Sequence, residues 1–280
     1  RGLGDGYKRQ GCVWRLVAFG MIGSTLSGVT FVSVPGTVGI DGFGYLQITI
    51  GYMIGYAIVA YVLLPIYYKM HLTSIYTYLQ ERMGEKTYKA GAFIFIVSKL
   101  VGATARVYLA VNILQLMVLD SFGVPFWLTT LLTLLMIILY TYKGGVKTII
   151  YTDTLQTSAM LLGLLACVVY ILNDMNLSVG ESLSLMESKG YLKVFDFEVM
   201  NASFFVKQIL AGVFITIAMT GIDQDMMQKN ISVSNLKDSQ KNMLTLSFIL
   251  LGMIVIFLYM GGMLHLFAEK EGTKTTKHTQ

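Results

Sequence analysis

The chain has 280 residues, of which 55% are hydrophobic and only 13% are charged, and its formal net charge is +5. Soluble domains carry about 25% charged residues, so this composition excludes an ordinary soluble protein and predicts an all-α polytopic membrane protein. The positive charge could indicate a nucleic-acid partner. The basic residues are scattered among loops and form no single stripe, however, so membrane topology explains them better and no nucleic-acid partner is expected.

Seven apolar stretches are long enough to cross a bilayer, which takes about 20 residues. A short interfacial helix closed by Gly84 is predicted between the second and third of them. A basic polar loop, Gln228–Lys241, precedes the last. We predict one transmembrane domain over residues 1–267 and a disordered polar tail over 268–280. The stretches, called spans 1 to 7, are Cys12–Val34, Phe43–Tyr68, Ala90–Leu119, Pro125–Tyr142, Thr148–Leu172, Ser203–Met226 and Met243–Phe267.

Loop charge predicts the orientation of these spans. Most loop lysines and arginines precede span 1 or lie between spans 2 and 3, 4 and 5, and 6 and 7. Basic loops stay on the cytoplasmic side, so we predict a multi-pass protein of the cell membrane, inner or plasma, with these loops cytoplasmic. The polar start Arg1–Arg9 and the odd number of spans further predict that the chain is truncated relative to a larger protein.

Span 1 contains a stretch, Gly20–Gly36, that is apolar enough for lipid but too rich in glycine and hydroxyl groups for a continuous helix. Unwound backbone is tolerated in a bilayer only where it lines a cavity or is buried in protein. Five spans later, span 6 carries a similar polar run, Ile217–Asp225. Interrupted spans in corresponding positions mark the binding site of inverted-repeat transporters. The pattern predicts one complete five-helix repeat followed by the first two helices of a second.

Four motifs add a family resemblance. They are Gly23–Ser27 in span 1, Leu72–Gly84 after Pro65, Tyr142–Gln156 with its Gly-Gly, Thr-Asp and Gln positions, and Asp223–Lys229. Together they resemble the sodium:solute symporter family, which includes the sodium/glucose, sodium/proline and sodium/sialic acid cotransporters. The resemblance implies a LeuT-type fold and uptake of a small-molecule solute with sodium ion. It also implies alternating access by a monomeric transport unit in the lipid bilayer.

The resemblance also implies roles for individual residues. Glucose-like specificity is not expected, because Val29 and Thr30 stand where sugar-transporting relatives carry acidic and amide residues, and Met219 and Thr220 replace their aromatic gate. The implied sodium site comprises the carbonyls of Gly23 and Leu26, with Ser27 nearby, and Asp153. The implied substrate-facing residues are Thr25, Val29, Thr30, Thr216, Thr220 and Asp223.

Arg106 lies near the middle of span 3, where a charge costs about 2.5 to 3.5 kcal/mol and should face the bundle interior or a wet cavity. The small residues Gly102, Ala103 and Ala110 share its face and predict close helix packing there. A guanidinium can bind a substrate carboxylate bidentately, which favours an organic anion. A structural pair with an internal acid and snorkelling remain alternatives, and Lys99, nearer the surface, is predicted to snorkel.

The other candidate site residues also have structural interpretations as alternatives to a functional role. Asp153 could serve sodium or simply favour the helix dipole from a first turn, and Asp223 could mark only a helix stop. The hydroxyls of span 1 could bond back to their own helix. At the level of function, the alternative to transport is a solute-sensing membrane domain of a signalling protein. An enzyme is not predicted, because no nucleophile, base or metal cluster is visible at membrane depth.

Overall fold

The computed structural model describes residues 14–26, 28–70, 72, 74–141, 145–233 and 235–271. Within these ranges the chain folds into helices, and the architecture is the predicted all-α membrane fold of the LeuT type. The helices are α1 (Trp14–Thr25), α2 (Gly28–Asp41), α3 (Tyr45–Lys69), α4 (Ile75–Met83), α5 (Glu85–Phe122), α6 (Phe126–Thr141), α7 (Gly145–Met175), α8 (Val179–Ser188), α9 (Phe205–Gly221), α10 (Gln224–Ile231) and α11 (Leu236–Lys270).

Each predicted span corresponds to a helix or a bent pair of helices. Four helices, α3, α5, α7 and α11, are long and apolar enough to cross a membrane, and the number rises to six if each bent pair counts as one span. The remaining predicted span is the shorter apolar helix α6. Spans 1 and 6 are the bent pairs α1–α2 and α9–α10, which turn by 62° and 68° at their breaks.

Three predicted boundaries were wrong, namely the end of span 6 and both ends of the loop that follows it, since α11 already begins at Leu236. Span 6 does not end at Met226, because α10 continues to Ile231 and takes up the start of the predicted loop Gln228–Lys241. Asp223 caps this extra helix, since its Oδ1 accepts hydrogen bonds from the amides of Asp225 and Met226. An N-cap starts a new helix even where hydropathy has fallen, which is why an apolar pattern missed it.

Close backbone approaches hold the bundle together. At the crossing of α3 and α9, a Cβ built on Gly51 would lie 2.2 Å from the carbonyl oxygen of Ile209. Between α2 and α11, a Cβ on Gly261 would lie 2.4 Å from the carbonyl oxygen of Pro35. Glycine therefore lets these helices pack backbone to backbone, as small residues do in membrane bundles. Of the four long helices, α11 is the most buried, since 50% of its most apolar segment is buried.

α5 lies at the periphery of the described bundle, since only 6% of its most apolar segment is buried. The predicted close packing around Gly102 is wrong, because no atom lies within 4 Å of a Cβ built there. A small-residue face packs closely only if a partner helix reaches it, and no described helix does.

The segments outside the spans follow local rules. The interfacial helix α4 starts at a Ser74 cap and ends at Gly84, whose φ of 89° favours glycine. The acidic segment after span 5 contains α8, which begins with a capping box between Ser178 and Glu181.

At the other end of the chain, α11 runs to Lys270, so residues 268–270 are helical and do not belong to a disordered tail. Residues 272–280 lie outside the described part.

Candidate functional site

A cavity of about 270 Å³ lies beside the two helix breaks. Its wall combines hydroxyl groups, charged side chains and apolar groups from α1, α2, α3, α5, α9, α10 and α11. Six of the seven substrate-facing residues expected from the sequence line it: Thr25, Thr30, Arg106, Thr216, Thr220 and Asp223. The seventh, Val29, is part of α2, but its side chain is outside the described part of the structure.

One wall of the cavity is aromatic and apolar. Tyr45, Tyr52 and Tyr56 lie seven and four residues apart on one face of α3, and all three line the cavity. Met219 and Met226 line it from the two halves of span 6. Methionine adapts to irregular shapes, so this wall suits an apolar part of a ligand, while the charges lie elsewhere.

The break of span 1 is tied to α7. The carbonyl oxygen of Gly23 accepts a hydrogen bond of 2.9 Å from Gln156 Nε2. A Cβ on Gly23 would lie 2.6 Å from the carbonyl oxygen of Asp153, so the glycine allows α1 and α7 to touch. Leu26 is buried. Its amide donates to the carbonyl oxygen of Ile22 at 2.7 Å and so continues the last turn of α1. Ser27 lies outside the described residues.

The hydroxyl groups of this break divide into two kinds. Thr25 Oγ1 donates to the Met21 carbonyl of its own helix at 2.8 Å, the inert arrangement considered above. Ser24 Oγ instead leaves its helix and donates to Asp153 Oδ2 at 2.8 Å. Ser24 therefore belongs to a polar cluster with α7, whereas Thr25 lines the cavity and also shares a side-chain hydrogen bond with Tyr56 of α3.

Asp153 is the centre of that cluster, and its partner is a lysine that the sequence analysis missed. Lys229 Nζ lies 2.8 Å from Asp153 Oδ2 and 2.6 Å from Ser24 Oγ. The Lys229 side chain is only 5% exposed and that of Asp153 15%. The ion pair is thus largely buried and joins α1, α7 and α10. Lys229 had been placed in a polar loop, and the signal that could have found it is that a membrane-embedded acid needs a basic partner.

A second ion pair lies in the cavity wall. Lys99 Nζ of α5 is 2.6 Å from Asp223 Oδ2, while the other oxygen of Asp223 caps α10. The prediction that Lys99 snorkels was wrong, because the opposite charge of Asp223 and the adjacent cavity offer its ammonium a polar environment inside the bundle. Asp225, which also lines the cavity, lies in the first turn of α10, where the amide end of a helix favours a carboxylate.

Arg106 is the third cation at this site. It lines the cavity from α5, and its side chain is exposed. Among the described residues it takes part in no ion pair or hydrogen bond. Its guanidinium is therefore open to a ligand that enters the cavity.

The oxygens near the span 1 break form a donor set that suits sodium. Hard cations prefer oxygen ligands, and two such groups lie where α1 meets α7: the main-chain carbonyl of Gly23, bonded to Gln156, and the carboxylate of Asp153, bonded to Ser24. The residues present thus fit a monovalent cation. Both groups also have protein partners, Gln156 and Lys229 respectively. No group of three or more His, Cys, Asp or Glu side chains that could hold a metal occurs among the described residues.

A smaller cavity of about 140 Å³ lies away from the breaks, where the loop after α2 meets the segment after α8. Asp196 lines it and accepts hydrogen bonds from Ser203 and from Asn201, the latter at 2.9 Å. These hydrogen bonds, with one from the amide of Glu198, lower the pKa of Asp196 to about 2. The network orders this segment, and we assign it no ligand.

The fold and the larger cavity define a helical membrane protein of the transporter type, with two broken spans that meet at a common site. The chain belongs to the sodium:solute symporter family, whose family model matches residues 9–276.

Individual relatives agree with this assignment. The rabbit (Oryctolagus cuniculus) sodium-dependent multivitamin transporter is 27% identical over 233 residues, which cover 80% of this chain and 35% of the relative. The human sodium-coupled monocarboxylate transporter 2 is 28% identical, with 86% and 39% covered. The human sodium/iodide cotransporter is 24% identical, with 80% and 34% covered. The chain therefore spans little more than a third of these relatives.

A solved structure supports the fold. A Na⁺-coupled sialic acid symporter in a substrate-bound, outward-open state superposes with a TM-score of 0.83 at 21% identity, covering 99% of this chain and 58% of that one. At this identity the likeness concerns the fold alone. The relatives are named as transporters, and nothing in the comparisons supports the sensor alternative.

Proposed function

We propose that the natural full-length protein is a sodium-coupled symporter of a small organic anion. The observation that carries the choice of an anion is Arg106, a cavity cation with no ion-pair or hydrogen-bond partner among the described residues. The other cavity cation, Lys99, is neutralised by Asp223. A carboxylate would give the guanidinium two parallel charge-assisted hydrogen bonds, the geometry that arginine favours.

The rest of the cavity supports the same class of substrate. The carboxylates of Asp223 and Asp225 are stabilised by Lys99 and by the start of α10, so they oppose an anion less than two free acids would. Threonine hydroxyls from α1, α2 and α9 offer neutral hydrogen-bonding groups, and the tyrosine face of α3 suits an apolar body. Monocarboxylate and iodide, the substrates in two relatives' names, are also anions.

Sodium coupling is proposed from family membership and from the oxygens at the span 1 break. When bound, sodium would supply a positive charge at this break and the free energy of its gradient. Gly23 and Leu26 would offer carbonyl oxygens there, and Asp153 a carboxylate. The hydroxyls of Thr216 and Thr220 would orient the solute beside Arg106. Closure of the two broken spans around the solute would then precede its release on the cytoplasmic side, where we place the basic loops.

Uptake by the full-length protein in proteoliposomes tests this proposal. Labelled carboxylates, sugars and amino acids are offered with an inward sodium gradient or with potassium in its place. We expect sodium-driven uptake of a carboxylate. Arg106→Ala should raise its KM about ten- to hundredfold, because hydrogen bonds to a charged group contribute about 1.5 to 3 kcal/mol.

The matched control is Arg82→Ala. Arg82 belongs to α4, and its guanidinium lies 5.8 Å from the centre of the Tyr78 ring, away from the cavity lining. This variant should transport like the wild type. Uptake that prefers a neutral sugar and survives Arg106→Ala would rule out the anion assignment. Equal uptake in sodium and in potassium would rule out sodium coupling.

A further inference from the structure

We propose that the Lys229 ammonium is a tethered cation that occupies the Asp153 carboxylate when sodium is absent, and that sodium and Lys229 exchange at this carboxylate. The inference rests on the proposed sodium coupling and adds a second, built-in occupant to the same site. It makes Lys229 a positioning residue for the coupling ion and not a ligand of the solute.

The geometry of the cluster carries the inference. One oxygen of Asp153, Oδ2, accepts from both Lys229 Nζ at 2.8 Å and Ser24 Oγ at 2.8 Å. Lys229 Nζ is also 2.6 Å from Ser24 Oγ, so the ammonium is held between the two oxygens. A sodium ion prefers oxygen ligands such as these carboxylate and hydroxyl oxygens, and the ammonium carries the same single positive charge as sodium.

Burial explains why the carboxylate needs one cation at all times. With side-chain exposures of 5% for Lys229 and 15% for Asp153, neither charge is well hydrated. A buried carboxylate without a counter-charge is strongly unfavourable. Two cations on the same oxygen repel each other at short range. Exchange of one cation for the other avoids both costs, since the site keeps a single positive partner before and after sodium binds.

The position of Lys229 allows such an exchange. It lies on α10, an eight-residue helix separated from α9 by a turn of 68°. Asp153 lies on the long helix α7, and Ser24 in the last turn of α1. A small displacement of α10 can therefore withdraw the ammonium without moving the α9 hydroxyls that line the solute cavity. The emptied carrier would then regain a neutral cluster by the return of Lys229.

The first test uses the native full-length protein in nanodiscs and needs no variant. Lysines are labelled with an amine-reactive acetylating reagent and quantified by mass spectrometry, in sodium or in N-methylglucamine. A buried, ion-paired amine reacts slowly, so sodium should raise the labelling of Lys229 several-fold. Lys189, paired with Glu269 at 2.7 Å and outside the site, is the internal reference and should not change.

Equilibrium binding of ²²Na⁺ supplies the second measurement. If Lys229 occupies about nine-tenths of the sodium-free sites, the apparent Kd is about ten times the intrinsic one. Lys229→Gln should therefore bind ²²Na⁺ roughly tenfold more tightly, while Lys229→Arg should bind like the wild type.

The outcomes separate this inference from the proposed function. ²²Na⁺ binding with unchanged labelling of Lys229 would overturn the exchange and leave sodium coupling intact. Weaker binding in a folded Lys229→Gln variant would also overturn it. No ²²Na⁺ binding to the wild-type protein would overturn sodium coupling and the exchange together.

Discussion

The crossing of α3 and α9 gives a sharp test of the packing. Gly51 and Gly212 face each other there, with each glycine's added Cβ 2.9 Å from the other's Cα. The same Cβ atoms would lie 2.2 Å from the carbonyl oxygens of Ile209 and Ile48 respectively. All these neighbours are backbone atoms, so no side chain can rotate away. Gly51→Ala must therefore push the two helices apart.

The size of the effect follows from these distances. A carbon and an oxygen come no closer than about 3.2 Å, so the helices must separate by roughly 1 Å and lose contacts along the crossing. Overpacking of this kind costs about 1 to 3 kcal/mol, and a rigid backbone neighbour places Gly51→Ala near the upper value. The gain in helix propensity from glycine to alanine, about 1 kcal/mol, offsets part of this. We expect a net destabilisation of about 1 to 2 kcal/mol.

Thermal unfolding of the purified full-length protein measures this change, with Gly252→Ala as the matched control. Gly252 lies inside α11, and no atom is within 4 Å of a Cβ built there. The control should keep or raise the stability, since only the propensity term, up to about 1 kcal/mol, applies. Gly51→Ala should also weaken solute binding, because α9 carries Thr216 and Thr220 to the cavity. Equal unfolding temperatures for the two variants would refute the backbone contact.

Two further predictions concern charged groups. Asp153→Asn should destabilise the protein by about 3 kcal/mol, because it leaves Lys229 buried without its carboxylate. In the same unfolding assay, the double variant with Lys229→Gln should recover much of the lost stability. Additive losses of stability in the double variant would argue against the ion pair. Asp196 has a pKa lowered from 3.8 to about 2, so its network should stabilise the segment before α9 fully above about pH 4 and fail as the pH falls through 2. Limited pepsin digestion across this window should show cleavage near Phe195 only at the acid end, whereas Asp196→Asn should be cleaved at both ends.

The sequence was sufficient to predict the spans and the first break, because lipid imposes strong rules on both. Apolar runs of spanning length have few alternatives in a chain this poor in charge. The glycines and hydroxyls of Gly23–Ser27 likewise predicted a break, and α1 ends at Thr25. Expected cavity residues such as Thr25 and Thr220 came together, since both lie next to a break, and two breaks in one bundle must lie against protein or a cavity.

Contacts between distant residues could not be predicted in this way. Lys229 and Asp153 are 76 residues apart. In addition, α10 is only eight residues long and mostly polar, so its sequence was interpreted as the start of a loop. The prediction of close helix packing from small residues also failed. Gly102 and Gly51 look alike in an apolar helix, yet only Gly51 meets another helix. Which face finds a partner is decided by the arrangement of all the helices and not by the local pattern.

The side chains that satisfy the two breaks are also those that shape the site. Asp223 caps α10 with one carboxylate oxygen and binds Lys99 with the other. Gln156 donates to the carbonyl of Gly23 in the last turn of α1, where helices in general need partners from outside for their carbonyls. A membrane protein cannot leave such groups to lipid, so we expect stability and ligand binding to depend on the same atoms. Gln156→Leu should consequently lower the stability and alter the affinity for sodium together, whereas substitution of a residue that only lines the cavity, such as Met219, should affect the solute alone.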